Sequence, residues 1–82
     1  MQAIWKYQLP APGESSVLEI PEGWYVARID AGWMWAWVSP DHPKEQVKIT
    51  TVATGQRFDD EKIYLGTWLD GPFVWHAIKG SE

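Results

Sequence analysis

The sequence predicts a small all-β domain, either an antiparallel sandwich or a partly open barrel of about six to seven short strands. Turn-forming Gly, Pro and Asp residues break the chain at short, regular intervals. The runs between these turns are rich in Trp, Tyr, Val, Ile and Thr, the residues that favour strands. The chain has 82 residues, the length of one domain, and we expect residues 1–82 to form a single β domain.

Seven strands are predicted along the chain. They are Ala3–Leu9, Val17–Ile20, Trp24–Asp30, Trp33–Val38, Gln46–Ala53, Lys62–Leu69 and Phe73–Ile78. Asp30-Ala31-Gly32 predicts a compact hairpin between the third and fourth strands, and Asp70-Gly71-Pro72 predicts another between the last two. Residues 79–82 are expected to form a frayed tail.

Composition and charge exclude several classes of function. The net charge of −4 argues against a protein that wraps duplex nucleic acid, which needs a lysine- and arginine-rich face. The chain has no cysteine and two histidines, so we expect no metal site and no cofactor. No apolar run approaches the length of a membrane span, and the N-terminus lacks the pattern of a signal peptide. These observations predict a cytoplasmic protein without a membrane partner.

The seven tryptophans are the most informative feature of the composition. Alternate residues of a strand share a face, so Trp33, Trp35 and Trp37 should lie on one side of their strand. Met34, Ala36 and Val38 should lie on the other. The Trp side is either core, in which case Trp35→Ala costs about 3–5 kcal/mol, or a platform for a ligand or subunit. The number of Trp residues also favours a homo-oligomer, because a core of this size does not readily accommodate seven of them.

No catalytic constellation is visible, and we expect a protein that is not an enzyme. The serines lie outside any nucleophile elbow, and Asp59 and Asp60 are adjacent, so their carboxyls should point apart in an extended chain. The candidate ligand- or partner-binding residues are Trp24, Arg28, Trp33, Trp35, Arg57 and His76.

The polar candidates have two interpretations each. Simple alternation places Arg28 on the same face as Trp24, where it could stack on tryptophan and hold an anion, or it could be an exposed strand charge. Arg57 follows Thr54-Gly55-Gln56, whose amides could join it around a phosphate. His76 is either a half-buried histidine held by hydrogen bonds or a ligand-contacting or pH-sensitive group.

Several segments resemble a known family in their order. They are Ile4-Trp5-Lys6-Tyr7, Ile20-Pro21-Glu22-Gly23, Trp35-Ala36-Trp37-Val38, Asp41-His42-Pro43, Thr54-Gly55-Gln56, Tyr64-Leu65-Gly66-Thr67-Trp68 and Val74-Trp75-His76. The chain is similar over nearly its whole length to small uncharacterised proteins, a domain of unknown function, that occur widely in bacteriophage genomes and prophages. The density of Trp at positions 24, 33, 35 and 37 departs from the mixed apolar residues expected there, and no site is carried over.

The resemblance implies a phage accessory protein in the host bacterial cytosol. By analogy with small acidic phage proteins, the expected function is counter-defence by stoichiometric binding. Either an aromatic patch with an acidic rim blocks a bacterial defence protein, or a pocket sequesters a nucleotide signal, with Trp rings on the base and Arg28 or Arg57 on the phosphate. A structural or assembly accessory of the phage particle is the alternative.

Overall fold

A computed structural model describes residues 1–80. Within this range the chain forms seven strands and no helix. The strands are β1 (Ala3–Gln8), β2 (Ser15–Pro21), β3 (Tyr25–Asp30), β4 (Trp33–Val38), β5 (Lys44–Ala53), β6 (Ile63–Asp70) and β7 (Phe73–Lys79). Each corresponds to one predicted strand. Lys79, expected in the frayed tail, belongs to β7, and the Gly80 N–H donates to the Lys48 carbonyl. The rest of that tail, 81–82, lies outside the described residues.

The strands form two antiparallel sheets. Sheet A has the order β1-β4-β3, and sheet B has the order β2-β5-β7-β6. Each sheet is open at its edges, so the predicted all-β fold is confirmed, and it is a two-sheet sandwich rather than a closed barrel. The inner faces meet in one core, because burying apolar side chains between two layers removes them from water. Its buried members are Leu9, Ile20, Met34, Ala36, Val38, Val47, Ile49, Trp68 and Ala77.

Both predicted hairpins are present. Between β3 and β4, Ala31 and Gly32 have φ values of 51° and 82°, the left-handed conformations that a tight type I′ turn requires at both central positions. Between β6 and β7, Gly71 has a φ of 60° and Pro72 follows it. These turns fix the register of the two hairpins and therefore determine which residues share a face.

A β-bulge at Ala27 changes the faces of β3. The register against β4 shifts between Val26 and Arg28. As a result Val26 and Ile29 face the core, whereas Arg28 lies on the outer face of sheet A. Simple alternation was therefore wrong in this strand, because one extra residue inverts the pattern after it.

Gly66 allows the edge strands β3 and β6 to approach each other. A Cβ atom at Gly66 would lie 2.8 Å from Ile29 Cδ1 and 3.2 Å from Ile29 Cβ. A methyl group would therefore require the Ile29 side chain to shift. This close approach forms one flank of a groove between the two sheets.

Candidate functional site

An aromatic surface covers the outer face of sheet A. The side chains of Trp33, Trp35 and Trp37 lie on the outside of the central strand β4, opposite the buried Met34 and Ala36. Their cross-strand neighbours complete a surface that we call the Trp face. It consists of Trp33, Trp35, Trp37, Tyr25, Ile4, Lys6, Gln8, Arg28 and Asp30.

Contacts within the Trp face fix its side chains. Tyr25 stacks on Trp37, with 5.8 Å between ring centroids and 15° between ring planes. The Lys6 ammonium lies 4.3 Å from the centroid of the Trp33 ring and 5.3 Å from that of Trp35. Cation–π contacts of this kind stabilise by about 0.5–1 kcal/mol at exposed sites. They therefore favour the observed orientation of the Trp33 and Trp35 rings.

Much of the Trp face remains in contact with solvent. Trp37 is 38% exposed and Tyr25 is 56% exposed, while Trp33 and Trp35 are partly buried by their neighbours. Of the two interpretations of the Trp stripe, the core is therefore ruled out within the monomer, since the buried side of β4 is the Met34 side. Three outward tryptophans in a row, of which Trp37 is exposed and Trp33 and Trp35 are partly exposed, form the kind of patch that marks an interaction surface.

The Trp face differs in charge from the rest of the protein. Its strands carry Lys6, Arg28 and Asp30, a net charge of +1 that leaves −5 for the rest of a chain of total charge −4. Arg28 Nη2 donates to Asp30 Oδ2 at 2.9 Å, but both groups are exposed, so this pair adds little stability. The acidic run 59–61 lies in the loop between β5 and β6, beside sheet B, and does not form an acidic rim around the tryptophans.

Trp24 lies in a second place, a groove of about 380 Å³ at one end of the sandwich, between β3 and β6. The Trp24 Nε1–H donates to Glu45 Oε1 at 3.1 Å, and the Lys79 ammonium is 5.8 Å from the centroid of the Trp24 ring. Tyr64 and Leu65 of β6 line the opposite wall. We call this feature the β3–β6 groove.

His76 lies in a third place, on the outer face of sheet B. Its Nε2 is 2.7 Å from Thr54 Oγ1, and its Nδ1 is 2.8 Å from Thr67 Oγ1. The Tyr64 hydroxyl is hydrogen-bonded to the same Thr67 oxygen. This arrangement matches the interpretation of His76 as a half-buried histidine held by hydrogen bonds, because both ring nitrogens are engaged by threonine.

The remaining candidate, Arg57, is separated from Arg28. Arg57 is exposed in the loop that follows β5, and its neighbours Gln56 and Phe58 line a small pocket beside His76. Arg28 is on the Trp face, across the sandwich. The structure thus joins Trp33, Trp35 and Arg28 in one surface, and distributes Trp24, His76 and Arg57 over other places.

Sequence reasoning missed several residues of these surfaces. Lys6 and Tyr25 belong to the Trp face through the registers of β1 and β3, and Glu45 and Lys79 belong to the groove through the pairing of β5 and β7. Trp37 was part of the predicted stripe but not of the candidate site. Alternation along β4 was the signal that could have added it.

Comparison with known proteins places the chain in a family without assigning it a function. All of the residues 1–82 match the family described as a domain of unknown function (DUF7352). The chain belongs to this family. No curated protein matches the chain. No solved structure matches it either. The Trp face and the β3–β6 groove are therefore features of this chain's own geometry.

Across residues 1–80 no group of three or more His, Cys, Asp or Glu side chains is placed to hold a metal ion. The same part of the chain contains no helix long and apolar enough to cross a membrane.

Proposed function

We propose that this protein is a non-enzymatic binding protein that contacts a partner protein through the Trp face. The observation that carries the proposal is the row of three outward tryptophans with Tyr25 and Arg28 beside them. Trp, Tyr and Arg are the residues that most often supply the binding energy of protein interfaces.

The shape of the Trp face favours a protein over a small molecule. Three strands of six residues span a plane of about 15 by 20 Å, or about 300 Å². Small molecules bind in concave sites that cover most of their surface, which a sheet face does not do. A stable interface buries roughly 800 Å² on each side, so the Trp face would supply its centre and the surrounding residues its rim.

Charge indicates the chemistry of the partner. Lys6 and Arg28, with Asp30 beside Arg28, give the Trp face a net charge of +1 on an acidic protein. The complementary surface is apolar at its centre, to receive the tryptophans, and carries Asp or Glu near Lys6 and Arg28. A second copy of the chain is a poorer match, because two identical positive faces would meet.

The finer identity of the partner is part of the proposal. The resemblance to phage proteins supports a bacterial defence protein as the target and the host cytosol as the place of action. Binding at the Trp face would then block that protein stoichiometrically, with no reaction catalysed.

The test is affinity capture from a bacterial lysate, followed by quantitative binding and oxidative footprinting of the purified complex. We expect the complex to protect Trp33, Trp35 and Trp37, and Trp37→Ala to weaken binding at least about tenfold. Leu69→Ala is the matched control, because Leu69 is 71% exposed on the outer face of sheet B.

Charge reversal gives a second pair of variants. Lys6→Glu should weaken binding, and Lys48→Glu on the outer face of sheet B should not. A footprint away from the tryptophans would contradict the proposal. So would a wild-type dimer that Trp37→Ala converts to a monomer in light scattering, because the occupant would then be a second copy. Large assemblies of the wild-type protein would favour the role in the phage particle.

A further inference from the structure

The β3–β6 groove contains two charged residues in positions that face the core. Along β5, Glu45 occupies the same inward row as the buried Val47 and Ile49. Along β7, Lys79 pairs with Ile49 and so lies in the inward row of Ala77. Both charged side chains are partly buried where the two sheets separate. Charged groups in such rows are costly unless a partner satisfies them.

Residues 1–80 satisfy these charges incompletely. One oxygen of Glu45 accepts the Trp24 N–H, and its other oxygen has no protein donor among residues 1–80. Glu45 and Lys79 do not form a salt bridge with each other, although both line the groove. The Lys79 ammonium instead lies over the ring of Trp24.

The walls of the groove are suited to a flat ring. The hydrogen bond to Glu45 fixes the Trp24 indole on one wall, and Tyr64 of β6 lines the opposite wall, with its hydroxyl turned to Thr67 on the outer face of sheet B. Val26 and Leu65 add apolar surface between them. Aromatic side chains of this kind bind nucleobases by stacking, at about 1–3 kcal/mol per base.

We propose that the β3–β6 groove binds a flat nitrogen heterocycle that carries an anionic group, of the size of a mononucleotide. The ring stacks on Trp24, a ring N–H or an amino group on the ring donates to the free oxygen of Glu45, and the anionic group pairs with Lys79. The volume of about 380 Å³ is at the lower end of the range of roughly 300–1,000 Å³ for small-molecule sites. This site is independent of the Trp face.

The test is a titration of the wild-type protein followed by the indole ¹H–¹⁵N signals of its tryptophans. The probes are AMP and GMP, with adenosine and inorganic phosphate as partial ligands, and Trp24→Phe assigns the Trp24 signal. We expect a nucleotide to shift the Trp24 signal with a Kd of about 1 mM or tighter. Adenosine should bind at least about tenfold more weakly, because it has no group for Lys79. Phosphate alone should leave the signal unchanged.

Variants at two lysines, Lys79 and Lys6, distinguish a specific role of Lys79 in the groove from the general effect of a cation over a tryptophan ring. Lys79→Gln should weaken nucleotide binding about tenfold and leave adenosine binding unchanged, and Lys79→Arg should restore part of the loss. Lys6→Gln is the matched control, because Lys6 also lies over tryptophan rings but on the Trp face. It should change nothing at Trp24.

Three results would overturn the inference. The first is that neither nucleotide shifts the Trp24 signal. The second is that the nucleotides shift the signals of Trp33, Trp35 and Trp37 instead. The third is that phosphate alone shifts the Trp24 signal as much as a nucleotide does. The wild-type titration decides these points even if a variant fails to fold. Failure here is distinct from failure of the proposed function, because Lys79→Gln should leave capture of the partner protein intact.

Discussion

The outer faces of the two sheets carry similar apolar side chains but have different environments. On sheet A the outward Trp37 is 38% exposed, and nothing in residues 1–80 covers the Trp face. On sheet B the outward Val52 and Ile78 are each only 2% exposed. They line a small pocket together with Phe58 of the loop between β5 and β6 and with Tyr64. Part of the outer face of sheet B, around Val52 and Ile78, has become a small second core, whereas the Trp face has been left open.

The contrast shows that a row of outward apolar side chains can be either covered by the chain's own loop or left exposed to solvent. A loop of nine residues, 54–62, follows β5 and can fold back over sheet B. The strands of sheet A are connected by the tight turn Ala31-Gly32 and by the segments 9–14, 22–24 and 39–43, all of which are shorter than 54–62. The long loop buries part of the outer face of sheet B, whereas the shorter connections leave the Trp face exposed. This difference supports the proposal that a partner covers the Trp face.

The largest expected difference lies between matched truncations on the two outer faces. Ile78→Ala should lower the free energy of unfolding by about 2–5 kcal/mol, because it leaves a cavity under the loop. Trp37→Ala should lower it by about 1 kcal/mol or less, since its side chain already touches water. Urea denaturation of both variants measures the difference. Equal losses would mean that the two faces are covered to the same degree.

An intermediate effect is expected where the sheets approach each other. Gly66→Ala should cost about 1–3 kcal/mol, because the new methyl group overlaps Ile29. Ile29→Val removes the nearest atom, Cδ1, and should lower the cost of Gly66→Ala in a double-mutant cycle. Additive losses in urea denaturation would show that the cost of Gly66→Ala does not come from its contact with Ile29 Cδ1.

The smallest expected change in stability is at Tyr7, a core residue that belongs to neither outer face. The Tyr7 hydroxyl is buried on the core side of β1 and has no hydrogen-bond partner among residues 1–80. Tyr7→Phe should therefore leave stability at neutral pH unchanged or raise it by up to about 1 kcal/mol. A clear loss of stability in thermal unfolding would show that the hydroxyl has a partner.

The same residue predicts a pH dependence. Burial raises the pKa of Tyr7 above its ordinary value of 10.0, so the folded protein holds this proton more tightly than the unfolded chain does. The resulting stability is complete below pH 10.0 and decreases as the pH rises through the folded-state pKa. Tyr7→Phe should reduce the alkaline loss of stability. Identical pH profiles for the two proteins would contradict the burial of this hydroxyl.

Much of the fold was predictable because its signals are local. The bounds of β4 agree with the predicted Trp33–Val38, and the turns at Ala31-Gly32 and Gly71-Pro72 form the expected hairpins. The candidate site was predictable only in part. Trp33, Trp35 and Arg28 do share a surface, but Arg28 reaches it through a bulge that no local pattern revealed. Glu45 and Lys79 meet Trp24 only because distant strands pair as they do.

The sequence by itself determined the strands, the turns and the single row of tryptophans along β4, because strand propensity, turn chemistry and a period of two act between neighbouring residues. Only the tertiary structure decided which row is buried. That choice depends on which sheet lies opposite, on the extra residue at Ala27, and on where the loop 54–62 folds. All three are long-range effects. Whether a side chain is buried depends on which surface packs against it, and the residues of its own strand do not determine that.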